Sequence, residues 1–109
     1  MFSYARHLAG RTYGRLGTVM AEPPQITIHG LINAHAAQRS SERNMTRDEM
    51  DRVVLDPVVV LEQAQGYSFG FLSPRGFVAL TAEGMVRTTY GPGDFDEVIH
   101  GILREAGVE

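Results

Sequence analysis

The chain has 109 residues, 43% of them hydrophobic, which is typical of one globular domain with a single core. It contains no cysteine, and this excludes disulfides, thiolate metal sites and cysteine nucleophiles. No apolar run approaches the roughly 18 residues of a membrane span, and the N-terminus lacks the apolar block of a secretory signal. We therefore expect no membrane insertion.

Charge is distributed unevenly along the chain. The formal net charge is −3, yet residues 1–47 carry six arginines against two glutamates, while the remainder carries four arginines against eleven acidic residues. A local anion-binding surface is thus compatible with an acidic whole. All ten basic residues are arginine, whose planar fork suits phosphate recognition, although a genome rich in G and C produces the same bias.

The N-terminal third of the chain predicts an arm followed by a helix. Residues 1–22 contain three glycines, which weaken a helix, so we expect a short helix or an arm there. Pro23 and Pro24 force an extended backbone and mark the entry to a single domain over residues 23–109. After a brief strand around Ile26 to Ile28, the segment from Leu31 to about Arg43 contains no helix breaker and is predicted to be helical.

A second helix has a specific start signal. In Met45-Thr46-Arg47-Asp48-Glu49-Met50, Thr46 is placed to cap the helix and Glu49 to close a capping box. The helix is expected to run to about Leu55, because Asp56 precedes a proline and is pushed out of the helical region.

The second half of the chain predicts strands and one final helix. Four segments are rich in β-branched and aromatic residues and are separated by turn residues: Val58–Gln63, Tyr67–Leu72, Phe77–Thr81 and Met85–Tyr90. Asp94 can cap a last helix whose apolar face is formed by Phe95, Val98, Ile99, Ile102 and Leu103. The prediction is an α+β fold in which N-terminal helices pack on a four-stranded antiparallel sheet, with a C-terminal helix.

Two pairs of side chains are candidates for chemistry. His35 and Arg39 are four residues apart and would lie on one face of the first helix. Thr88 and Tyr90 are two residues apart and would share one face of the last strand. Either pair alone is ordinary, since surface helices tolerate histidine and arginine, and strands favour threonine and tyrosine.

Taken in chain order, these elements resemble a known pattern: His35-Ala36-x-x-Arg39-x-x-x-Arg43-x-Met45-Thr46, a proline-terminated helix, Tyr67-x-Phe69, and Gly84-x-Val86-x-Thr88-x-Tyr90. The pattern is similar to the C-terminal ribonuclease toxin domains of contact-dependent and Rhs-type polymorphic systems. Those domains belong to the superfamily that unites barnase, EndoU, colicin tRNases and RelE. The resemblance covers about residues 25–105.

The resemblance implies a metal-independent endoribonuclease. His35 would be the general acid or base, Arg39 would stabilise charge on the phosphate, and Thr88 and Tyr90 would position the substrate. Two further residues would bind substrate: Arg43 at a flanking phosphate and Tyr67 by stacking on a base. The implied partners are RNA, with tRNA as a candidate, and a cognate immunity protein. The domain would be delivered as part of a secreted protein and act in the target-cell cytoplasm.

We expect neither a metal nor another cofactor. His29 lies six residues before His35, but a zinc site needs three or four ligands, and the chain offers neither cysteine nor a helical His-x-x-x-His pair. Two alternatives to a free ribonuclease stay open. One is a non-enzymatic binding protein of the same fold, and the other is a ribosome-dependent mRNA nuclease like RelE, which the overall acidity disfavours.

Overall fold

The computed structural model of the chain describes residues 2–31 and 45–109. These residues form one sheet of six strands, two α-helices and four 3₁₀ turns. The strands are β1 (Thr18–Val19), β2 (Gly30–Leu31), β3 (Val59–Gln63), β4 (Ser68–Ser73), β5 (Gly76–Thr81) and β6 (Met85–Tyr90). The helices are α1 (Arg47–Leu55) and α2 (Glu97–Glu105), and the 3₁₀ turns are Arg6–Leu8, Gly14–Leu16, Ala64–Gly66 and Pro92–Asp94.

The centre of the sheet is the antiparallel meander that the sequence predicts. Strands β3, β4, β5 and β6 are neighbours in this order, and their ends lie within one residue of the predicted bounds. Tight turns join β4 to β5 and β5 to β6, where the sequence has turn residues between the strand segments. Ser73 Oγ accepts a hydrogen bond from the Arg75 N–H at 3.1 Å in the first turn, and the Gly84 N–H donates to the Thr81 carbonyl at 2.9 Å in the second.

The prediction of N-terminal helices on a four-stranded sheet is wrong. β1 pairs with β3 and extends the antiparallel part to five strands, while β2 pairs in parallel with β6 at the opposite edge. Within the described residues, one α-helix lies in the middle of the chain and the other at its C-terminus. Strands of two residues are too short to leave a periodic pattern in the sequence, so pairing partners distant in the chain define them.

The first predicted helix falls almost entirely outside the described residues. Leu31, expected at its start, belongs to β2 instead, and residues 32–44 are not described. The second predicted helix is confirmed as α1, which ends at Leu55 before Asp56-Pro57 as expected.

Helix α1 covers one face of the sheet. Its buried residues Met50, Val53 and Val54 pack in one apolar cluster with alternate side chains of the strands: Val60, Phe71, Val78, Leu80 and Val86. Phe71 has no exposed surface and lies on β4, near the middle of the sheet.

The opposite face is covered by two segments from the ends of the chain. Leu8 and Val19 from the N-terminal segment join Ile99, Ile102 and Leu103 of α2 in one apolar cluster. That cluster also contains sheet residues of opposite parity, listed here in chain order: Val59, Leu61, Leu72, Phe77 and Ala79. The sheet is therefore buried on both sides, which explains why β5 has no exposed residue.

Tyr4 fastens the N-terminal segment to the edge of the meander. Its hydroxyl donates to the Met20 carbonyl at 2.7 Å and accepts from the Val60 N–H at 3.1 Å. Burial raises the pKa of Tyr4, and the hydrogen bond from Val60 and the charge of Arg6 only partly oppose this. The phenol is therefore held in its neutral, donating form.

Glycine is required in the turn that joins β5 to β6. Gly84 has φ +87°, and a Cβ there would lie 2.2 Å from the Thr27 carbonyl oxygen. The Gly84 carbonyl accepts a hydrogen bond from the His29 N–H at 2.8 Å. This close approach brings the chain before β2 against the β5–β6 turn, and so positions β2 beside β6.

The start of α1 is capped at Thr46 as predicted. Thr46 Oγ1 accepts a hydrogen bond from the Glu49 N–H at 3.1 Å, and its hydroxyl donates to the Glu49 carboxylate at 3.2 Å. Met45, the residue before the cap, and Met50, in the first turn of the helix, are both buried in the cluster beneath it, the arrangement of an apolar staple.

Replacing Thr46 by alanine removes the cap, and we expect the free energy of unfolding to fall by about 1 kcal/mol. Urea denaturation of the two proteins measures this. Thr27→Ala is a suitable control, because Thr27 is exposed and its side chain caps no helix. Equal losses in the two variants would show that the cap does not stabilise α1.

The cap of α2 differs from the prediction. Asp94 lies in the 3₁₀ turn before the helix, and Asp96 is the capping residue, with its carboxylate accepting from the Ile99 N–H at 2.9 Å. Pro92 starts a separate 3₁₀ turn that delays the helix by two residues, which a pattern of acidic residues alone does not show.

Candidate functional site

Three predicted site residues lie outside the described part of the chain. These are His35, Arg39 and Arg43. Their convergence with the last strand stays a prediction. Thr88, Tyr90 and Tyr67 are described, and their surroundings show what this part of the chain offers a ligand.

Thr88 and Tyr90 share one face of β6, as the alternation predicts. Thr88 lies opposite Ala79 and Tyr90 opposite Phe77 on β5, and both partners belong to the cluster on the α2 face of the sheet. The two side chains are half-buried. They therefore lie on the face opposite α1.

The ring of Tyr90 has a clear packing role. It stacks on Phe77 with ring centroids 5.0 Å apart and meets Phe95 edge-on at 6.3 Å. Such aromatic contacts each contribute about 0.5–1.5 kcal/mol beyond area burial. A change that truncates this ring would thus disturb the structure whatever its hydroxyl does.

Thr88 differs from the other threonines of the β5–β6 hairpin. Thr89 Oγ1 donates to the Phe77 carbonyl at 2.9 Å, and Thr81 Oγ1 accepts from the Met85 N–H at 3.1 Å. The Thr88 hydroxyl makes no hydrogen bond to any described residue. Its half-buried position leaves it available to a ligand on the α2 face of the sheet.

Tyr67 is held at the start of β4 by an unusual turn. Ala64 and Gln65 both have positive φ, +48° and +57°, a conformation that costs non-glycine residues free energy. The Tyr67 N–H closes this turn by donating to the Ala64 carbonyl at 3.2 Å. The Tyr67 side chain that follows the turn is 55% exposed.

Arg87 is a candidate that sequence reasoning missed. The pairing of β5 with β6 slips between Ala79 and Leu80, whose partners are Thr88 and Val86, so Arg87 is an extra residue in a bulge. Its guanidinium lies over the Tyr67 ring, 5.0 Å from the centroid. Strand alternation predicts that Arg87 and Thr88 lie on opposite faces of β6, and no feature of the sequence predicts the bulge.

The arginines of the described residues divide into paired and unpaired groups. Arg11 pairs with Glu105, Arg47 with Asp51 at 3.3 Å, and Arg104 lies 3.8 Å from Glu109. The other arginines in residues 2–31 and 45–109 form no ion pair with a described carboxylate: Arg6, Arg15, Arg52, Arg75 and Arg87. A guanidinium group without an ion-pair partner among the described residues is available to bind a phosphate.

His7 and His100 both contact the C-terminal segment of the chain. His7 Nε2 is 2.9 Å from the Glu105 carbonyl, and His100 Nδ1 is 2.7 Å from the Glu109 carboxylate. Within the described ranges, no group of three or more histidine or acidic side chains is arranged to hold a metal ion. None of the described helices is long and apolar enough to cross a membrane.

Comparison of the chain with protein-family models, with curated proteins and with solved structures finds no match.

Proposed function

We propose that the chain is a metal-independent endoribonuclease of the toxin type, with His35 as general acid or base and Arg39 as the group that stabilises charge on the phosphate. The sequence resemblance suggests the class of reaction. In the described part of the chain, the observation that carries the proposal is the unpaired Thr88 hydroxyl on the same face of β6 as Tyr90. Its two neighbouring threonines use their hydroxyls within the fold, and Thr88 does not.

The chemistry needs no nucleophile from the protein. The RNA 2′-hydroxyl attacks the adjacent phosphorus as a base removes its proton, and the 5′-oxygen leaves with a proton from an acid, forming a cyclic phosphate. A histidine serves either step, since its ordinary pKa of about 6.5 lets it take and give a proton near neutral pH. An arginine fork binds the two non-bridging oxygens as their charge grows.

The described residues add positioning groups to this scheme. The Thr88 hydroxyl donates to a phosphate oxygen, and the Tyr90 hydroxyl sits two residues further along the same face. Arg87 directly precedes Thr88 in the chain, and its guanidinium lies over the Tyr67 ring. This pair offers a guanidinium plane and a half-exposed ring on which a base stacks. RNA is the substrate in this proposal, with tRNA as a candidate.

The proposal includes a biological setting drawn from the same resemblance. The domain is delivered as part of a secreted protein, acts in the cytoplasm of a target cell and is neutralised by an immunity protein in the cell that makes it. Cleavage of purified RNA without ribosomes distinguishes this enzyme from a ribosome-dependent nuclease. Absence of cleavage both with and without ribosomes would refute both nuclease proposals and favour the non-enzymatic binding protein.

Thr88→Val and Thr89→Val form a matched pair that separates substrate positioning from stability. A hydrogen bond to a charged group is worth about 1.5–3 kcal/mol, so Thr88→Val is expected to slow cleavage by about 10- to 100-fold. Its free energy of unfolding should change by less than about 0.5 kcal/mol, because no hydrogen bond within the described residues is lost.

Thr89→Val is expected to show the reverse behaviour. It removes the buried hydrogen bond to the Phe77 carbonyl, so the free energy of unfolding should fall by about 1 kcal/mol while the folded protein cleaves RNA normally. The measurements are cleavage of total RNA with chelator present and urea denaturation. Wild-type cleavage by Thr88→Val would contradict a role for Thr88 in the site.

A further inference from the structure

Two unpaired arginines line the same grooves beside α1. One groove has a volume of about 300 Å³ and is lined by Arg52, Leu55, Asp56 and Arg75. The other has a volume of about 290 Å³ and is lined by Glu49, Arg52, Arg75 and Pro92. Arg52 and Arg75 belong to both, so the two grooves adjoin between α1 and the β4–β5 turn, and together we call them the arginine groove.

Arg52 forms no ion pair with Asp48, the acidic residue one turn before it on α1. Asp48 lies four residues before it on α1, the spacing and order that favour an ion pair. The neighbouring pair with the same spacing, Arg47 and Asp51, is formed at 3.3 Å, whereas Arg52 forms no ion pair with a described residue. The Arg52 side chain instead lines the arginine groove.

Arg75 is held in place from the other side of the groove. It occupies the tight turn after Pro74, where its N–H donates to Ser73 Oγ, and its guanidinium lies 6.0 Å from the centroid of the Phe2 ring. Neither contact neutralises its charge. A guanidinium positioned by an aromatic ring loses less conformational entropy when it binds an anion.

The two acidic side chains of the arginine groove already have partners. The Asp56 carboxylate accepts from the Phe2 N–H at 3.1 and 3.2 Å, and the Glu49 carboxylate accepts from the Thr46 hydroxyl at 3.2 Å. Each acid lines only one of the two grooves, while both arginines line both. Each groove is thus lined by two guanidinium groups and by one carboxylate that already accepts a hydrogen bond. An anion bound between the two guanidinium groups would reduce the repulsion between their charges.

We propose that Arg52 and Arg75 bind a phosphodiester of single-stranded RNA in the arginine groove, apart from the reacting phosphate. The choice of RNA rests on the proposed function, but the phosphate chemistry rests on the two unpaired guanidinium groups. The exposed Leu55, with 72% of its surface accessible, supplies an apolar wall beside the phosphate. RNA that follows this groove is held on the α1 side of the β4–β5 turn.

Binding of 2′-O-methyl RNA tests the inference without depending on cleavage. This oligonucleotide, of about 12 nucleotides, keeps every phosphate but lacks the 2′-hydroxyl nucleophile, so the wild-type protein binds it intact. Fluorescence anisotropy at several salt concentrations gives the slope of log affinity against log salt. Each phosphate contact contributes about 0.7 to that slope for a single strand.

Arg52→Gln and Arg75→Gln are each expected to weaken binding and reduce the slope by about 0.7, and the double variant by about 1.4. Lysine at both positions keeps the charges and is expected to retain most of the slope. Arg104→Gln is the matched control, because Arg104 already lies near Glu97 and Glu109 on the other side of the molecule, and its slope should equal that of the wild type.

A double glutamine variant with the affinity and slope of the wild type overturns the inference, and so does a wild-type protein that does not bind the oligonucleotide. Equal unfolding midpoints in urea for all variants show that lost binding does not reflect lost folding. The proposed function is judged separately, by cleavage of unmodified RNA. Binding of the 2′-O-methyl RNA without cleavage of unmodified RNA would refute the proposed enzyme activity but not the phosphate site in the arginine groove.

Discussion

Replacing His35 by alanine is expected to reduce cleavage of RNA by about 10²- to 10⁴-fold, the usual contribution of a general acid or base. The assay uses purified protein, total RNA and excess chelator, so that any adventitious metal-dependent nuclease is silent. Because a histidine ordinarily titrates near neutral pH, the wild-type rate should fall as pH drops through that range where His35 is the base, and as pH rises through it where His35 is the acid. The variant should lose that dependence.

His100→Ala is the control for the loss of a histidine. His100 lies on α2, where it contacts the Glu109 carboxylate and the Phe95 ring, and it has no role in the proposed reaction. This variant should cleave RNA at the wild-type rate. Wild-type activity in His35→Ala would remove His35 from the mechanism, and RNA left intact by the wild type would refute the enzyme proposal.

Replacing Phe71 by alanine is expected to lower the free energy of unfolding by about 3–5 kcal/mol. Phe71 is fully buried on β4 beneath α1, in contact range of the apolar residues from both neighbouring strands, and its removal leaves a cavity that this packed layer cannot fill. Since a domain of this kind has a total stability of about 5–15 kcal/mol, the variant should be close to unfolding at 37 °C.

Phe69→Ala is the matched control, since Phe69 lies on the same strand and the same face but is only partly buried. Urea denaturation should show a clearly smaller loss for Phe69→Ala than for Phe71→Ala. Equal losses would mean that the centre of the core does not lie under α1 as the structure has it.

The sequence anticipated those elements whose causes are local. The four central strands, their two tight turns and the Thr46 cap each depend on residues within a few positions of one another, and all are present. The cap of α2 is not determined by neighbouring residues alone. Asp94 and Asp96 are both suitable caps, and the choice of Asp96 depends on the 3₁₀ turn that begins at Pro92.

The candidate site also contains features that follow from local sequence and features that depend on contacts between distant residues. That Thr88 and Tyr90 share a face follows from strand alternation, and the structure confirms it. That the ring of Tyr90 packs between Phe77 and Phe95 depends on contacts across the sheet and with the segment before α2. The proximity of Arg87 to Tyr67 depends on a bulge, a slip in pairing between two strands that neither strand shows by itself.

The alternating strands, the tight turns and the Thr46 cap are readable from the sequence, because they follow from backbone preferences and from hydrogen bonds between near neighbours. Three features appear first in the folded chain: the edge strands β1 and β2, the packing of both chain ends on one face, and the placement of Arg52 and Arg75 along the same groove. Such contacts join residues far apart in the chain. Their formation depends on burial and pairing across the whole sheet, which no local pattern of residues specifies.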